Sequence, residues 1–63
     1  MVYKLKEIRK RKGLTQKKLS EMSGINRVTI AKYETDINEP SLRNAVILAN
    51  VLGEKIEEFI EEG

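Results

Sequence analysis

Glycine or proline interrupts this chain at Gly13, Gly24, Pro40 and Gly53, which cuts 63 residues into pieces that each suit one short helix. Isolated helices shorter than roughly 12–15 residues are marginal in water, so the pieces must share one core. No outside staple is at hand: there is no Cys and no His, which excludes disulfide frameworks, zinc sites, thiol chemistry and imidazole catalysis. Any metal would have to be held by carboxylates alone, and no metal, cofactor or small-molecule ligand is expected. The longest apolar run is Ala45-Val46-Ile47-Leu48-Ala49, far below the roughly 18 residues of a membrane span, and no apolar signal core follows Met1. A soluble, cytoplasmic, single-domain chain over residues 1–63 is expected.

Within this frame each piece has its own start and stop. Val2 to Lys12 places Val2, Leu5, Ile8 and Arg9 on one face at about 100° per residue, and Gly13 ends it. Thr15 is an N-cap for a second helix from Gln16 to about Met22, and Ser23-Gly24-Ile25 makes a tight turn. Asn26 caps a third helix, Arg27 to about Glu34, before the polar loop 35–40. Ser41 caps a fourth, which carries Leu42, Ala45, Val46, Leu48, Ala49 and Leu52 on one broad face and closes at Gly53. A short acidic helix follows with Ile56, Phe59 and Ile60, and no segment alternates convincingly as a strand does. The fold class is therefore all-α, a compact five-helix bundle. Its expected core is Leu5, Ile8, Leu14, Leu19, Met22, Ile25, Ile30, Tyr33, Leu42, Val46, Ala49, Leu52, Ile56 and Phe59.

Charge is distributed unevenly. The net value is only +2, yet residues 1–32 hold ten of the 12 basic residues against Glu7 and Glu21. Residues 33–63 hold only Arg43 and Lys55 against eight carboxylates. Charge alone leaves two readings open, a face built for a polyanion or a solvated Lys/Glu-rich surface.

Helix two, the turn at Gly24 and helix three have the spacing of a DNA-reading helix pair. Ser20 is small where the two helices approach, Gly24 tolerates a left-handed backbone, and Leu19, Ile25 and Ile30 pin the pair together. Helical rotation puts Arg27, Val28, Ala31 and Lys32 on one arc of helix three and Thr29, Ile30, Tyr33 and Glu34 on the other. Arg27 and Lys32 can donate to guanine in a major groove, and Val28 or Ala31 can pack on a thymine methyl.

The chain here resembles the Cro/CI-type (XRE) helix-turn-helix transcriptional regulators over about Leu5 to Phe59. The resemblance is carried by Leu5-Lys6-Glu7-Ile8-Arg9, Gly13-Leu14-Thr15-Gln16, Leu19, Gly24-Ile25, Thr29-Ile30, Tyr33-Glu34, Pro40-Ser41-Leu42 and Leu48-Ala49-Asn50-Val51-Leu52-Gly53. It implies a lambda-repressor-like fold and a sequence-specific regulator, a repressor, bound to double-stranded operator DNA as a two-fold homodimer. It also implies that Gln16 contacts a phosphate and that positions 27, 28 and 32 read bases. The full set assigned to phosphates is Gln16, Lys17, Asn26, Thr29, Asn38 and Arg43. Two departures stand out: Lys17-Lys18 replaces the acidic residues of many relatives, which removes the capping box after Thr15, and Lys55 stands where relatives often have a cap.

Arg9, on the apolar face of helix one, needs a partner or water, because an unpaired buried guanidinium is costly. Glu34 closes helix three on its inward arc, and the resemblance suggests an Arg9–Glu34 pair linking the two helices. Ile47 and Val51 fall opposite the stripe of helix four and, with Ile60, form either a self-complementary dimer patch or isolated surface residues. Two other function classes compete with a DNA-binding role. An enzyme acting through Glu57, Glu58, Glu61 and Glu62 lacks a basic or nucleophilic partner nearby in sequence. A protein-contact module of the same fold, such as an antitoxin or adaptor, would have no need of the cations at Lys17, Lys18, Arg27 and Lys32.

Overall fold

The computed structural model describes the backbone of residues 2–61 and the side chains of 4–58. Five helices follow one another: α1 (Leu5–Arg11), α2 (Gln16–Ser23), α3 (Arg27–Glu34), α4 (Leu42–Leu52) and α5 (Ile56–Phe59). A two-residue ribbon brings the ends together, with β1 (Val2–Tyr3) antiparallel to β2 (Ile60–Glu61) in the register Val2↔Glu61 and Tyr3↔Ile60.

The helix starts are set by the expected polar residues. The Thr15 hydroxyl oxygen accepts from the Lys18 N–H at 3.0 Å, Asn26 Oδ1 from the Val28 N–H at 2.8 Å, and Ser41 Oγ from the Asn44 N–H at 3.2 Å. Each satisfies one N–H that the first helical turn would otherwise leave orphaned. One core then collects the inward faces of all four longer helices: Leu5, Ile8, Leu19, Ile25, Ile30, Tyr33, Leu48, Ala49 and Leu52, with Leu14, Ile47, Val51 and Ile56 packed half-buried against it.

The structure corrects three expectations. The first helix begins at Leu5, because Val2 and Tyr3, β-branched and aromatic, pair with 60–61 instead; Ile60 accordingly lies in β2 and not in a helix. The side chains of Phe59 and Ile60 lie outside the described residues. Met22, Leu42 and Val46 are not core: they are 46%, 74% and 38% exposed. On α4 the burial centres on Ala45, Leu48, Ala49 and Leu52, so Ile47 and Val51 are half-buried against the core and not opposite it. The cause is composition, since α4 (LRNAVILANVL) is apolar on nearly every side and its pattern cannot fix which flank turns inward.

Candidate nucleic-acid interface

The turn between α2 and α3 is built from a few local bonds. Gly24 ends α2 at φ 75°, a left-handed backbone that costs a side-chain-bearing residue about 1–2 kcal/mol, and its N–H donates to the Ser20 carbonyl at 2.9 Å. The Ser20 hydroxyl donates to the Ile25 carbonyl at 2.6 Å, and the Ile25 N–H donates to Ser23 Oγ at 3.1 Å. Ser20 therefore supplies a bond across the turn as well as a small volume. Only the volume was legible in the sequence; the hydroxyl reaches a carbonyl five residues on, a link without a sequence signature.

With the turn set, α3 is divided by burial. Ile30 and Tyr33 face the core, and the Tyr33 hydroxyl accepts from Asn44 Nδ2 at 3.0 Å, which ties α3 to α4. On the other side Arg27, Val28 and Lys32 are exposed together, Val28 by 62%, while Ala31 and Thr29 are half-buried at the margins. An apolar, branched side chain is thus left in water between two cations on one short helix, a surface able to offer hydrogen-bond donors and an apolar contact to base edges. Asn26 stands exposed at the head of this helix, with Oδ1 already engaged in capping. Beyond its end, the N–H groups of Ile37 and Asn38 both donate back to the Lys32 carbonyl, at 3.0 and 3.3 Å, so the loop folds onto the C-terminus of α3 and holds Asn38 there. Lys17 is exposed on the first turn of α2 and Arg43 on the first turn of α4.

Arg9, Gln16 and Glu34 are drawn into one network. Arg9 Nε donates to Glu34 Oε2 at 2.7 Å and Nη2 to Oε1 at 3.1 Å, a two-point fork. Arg9 Nη1 donates to the Leu14 carbonyl at 2.6 Å, and Gln16 Nε2 donates to Glu34 Oε1 at 3.0 Å. The side chains of Arg9 and Glu34 are 9% and 2% exposed. The network thus fastens the end of α3 to both α1 and the first residue of α2. Gln16, which the resemblance assigns only to a phosphate, uses one amide hydrogen inside the protein. A second ion pair, Lys12 Nζ to Glu54 Oε1 at 3.4 Å, fastens the other flank of α1 to the turn after α4 and had no signal in the sequence. No group of carboxylates among the described residues could hold a metal ion, and no described helix is long and apolar enough to cross a membrane.

A helix-turn-helix family model matches residues 5–59, which takes in all five helices. The chain belongs to the Cro/CI-type helix-turn-helix family. A helix-turn-helix transcriptional regulatory protein of Methanocaldococcus jannaschii is 40% identical over 57 residues, covering 90% of this chain and 15% of its own length. An uncharacterised regulator of the same type from Archaeoglobus fulgidus is 36% identical over 56 residues, 89% of this chain and 80% of that one. Among solved structures, the restriction-modification controller protein C.AhdI of Aeromonas hydrophila superposes with a TM-score of 0.84 at 34% identity, over 87% of this chain and 83% of that one. This chain is thus similar to regulators that range from its own size to several times its length, and it spans only a small fraction of the longer ones. The family is one of transcriptional regulators and not of enzymes.

Proposed function

We propose that this helix-turn-helix chain is a sequence-specific regulator of transcription that inserts α3 into the major groove of double-stranded operator DNA. The observation that carries the reading is the outward face of α3, where Arg27, Val28 and Lys32 are exposed together while the end of the same helix is clamped by the Arg9–Glu34 fork. A reading head needs donors and an apolar group in water before binding, and a rigid mount that holds them in register. Arg27, Val28, Ala31 and Lys32 contact base edges; Gln16, Lys17, Asn26, Thr29, Asn38 and Arg43 contact phosphates along the groove walls. The reading takes residues 1–63 as one DNA-binding domain acting in the cytoplasm, and as a repressor.

We extend the reading to a two-fold dimer on DNA, with two copies of α3 about 34 Å apart, one helical turn of the duplex. Ile47 and Val51 are half-buried, which leaves part of each side chain for a partner copy, and Ile60 completes the assigned contacts. The division of labour between bases and phosphates is tested by two substitutions. Arg27→Ala is expected to cost about 1–3 kcal/mol on a selected site and to relax preference at one base pair, whereas Lys17→Ala weakens cognate and random duplexes alike. Equal losses on both duplexes for both variants would overturn the assignment.

A further inference from the structure

The four cations of α1 and Lys12, which caps its end, are not used alike. Arg9 pairs with Glu34, Arg11 with Glu7 at 3.6 Å and Lys12 with Glu54, whereas exposed Lys6 and Lys10 have no carboxylate partner among the described residues. They stand four residues apart on one helix face, where like charges repel and weaken the helix. Two contacts fix which way that face turns. Arg9 points to the end of α3 and the start of α2, and Lys12, about 60° to the other side, points to the turn after α4. Lys6 and Lys10 lie beyond Arg9 in the same rotational sense, further from Lys12, and so form the exposed flank of Arg9, the residue that shares the Glu34 carboxylate with Gln16.

We propose that Lys6 and Lys10 form a second, sequence-independent phosphate contact that carries the DNA backbone from Gln16 onto α1 and widens the footprint beyond the helix-turn-helix. The inference rests on the DNA reading above. Each lysine that neutralises a phosphate releases a counterion, so it adds about 0.9 to the slope of log K against log salt concentration. Lys6→Gln and Lys10→Gln, each titrated with a random-sequence duplex across a range of salt, should each lower that slope by about 0.9. Lys55→Gln, which removes the same charge from exposed Lys55 before α5, should leave the slope unchanged. Melting temperatures of Lys6→Gln and Lys10→Gln should equal or exceed the wild-type value, because a repulsion has been removed; a weaker complex then reflects the missing phosphate partner and not a damaged fold. Unchanged slopes for both α1 variants beside a wild type that binds overturn this inference alone. An equal fall for Lys55→Gln overturns it too, by showing an effect of net charge. A wild type that binds no duplex overturns the DNA reading and this inference with it.

Discussion

Glu34→Ala is the substitution that the fold should tolerate least for so few atoms removed. The carboxylate accepts from Arg9 Nε, Arg9 Nη2 and Gln16 Nε2, and its loss leaves a nearly buried guanidinium with the Leu14 carbonyl as its remaining described acceptor. Removing one side of a buried pair costs about 3–5 kcal/mol, because the other charge stays desolvated. At roughly 0.05–0.15 kcal/mol per residue, a chain of 63 residues holds about 3–9 kcal/mol in all. At about 4–8 °C per kcal/mol for a domain this small, thermal unfolding followed by circular dichroism should show a Tm lowered by at least about 12 °C, or no folded baseline. The double variant Arg9→Met with Glu34→Leu should recover more than half of that loss, since replacing both charges by apolar groups of similar size removes the stranded ion. A Glu34→Ala protein that melts within about 5 °C of wild type would refute the reasoning, because the pair would then be solvated and α3 mounted by packing alone.

Further outcomes follow from the packing. Leu48→Ala should cost about 2–5 kcal/mol in denaturant unfolding, while Val46→Ser, two residues away but 38% exposed, should stay within about 1 kcal/mol; similar losses would contradict the corrected face of α4. Gly24→Ala should lose about 1–2 kcal/mol although open space surrounds the site, because the cost lies in φ 75° and not in a clash, so Gly24→Asn should lose less. Ile47→Lys, with folding checked by circular dichroism, should lower the number of copies bound per operator duplex by sedimentation and weaken operator binding; unchanged values of both would remove Ile47 from the dimer contact.

What could be read from the sequence, and what could not, divides on local terms. Caps and turn were legible because Thr15, Asn26, Ser41 and Gly24 each act on backbone within a few residues. The Arg9–Glu34 pair was legible because a guanidinium on an apolar face demands a partner, and the family resemblance supplied one. The phase of α4 was not, since Leu42 and Val46 are chemically equivalent to Leu48 and only packing separates them. Nor was the ribbon of 2–3 with 60–61, for two residues are too few to show alternation. The amide of Gln16 donating to Glu34 and the Lys12–Glu54 pair join segments far apart in sequence and needed the fold to be seen.

Selection of binding sites from random duplex DNA, with recovered sequences titrated by the wild type and by Arg27→Ala, bears most directly on whether α3 reads bases. A palindromic motif with half-sites about one helical turn apart, relaxed at one position per half-site by Arg27→Ala, is the predicted result. Salt-sensitive binding without an enriched motif, or no enrichment at all, would contradict it and leave α3 a charged surface without a reading role.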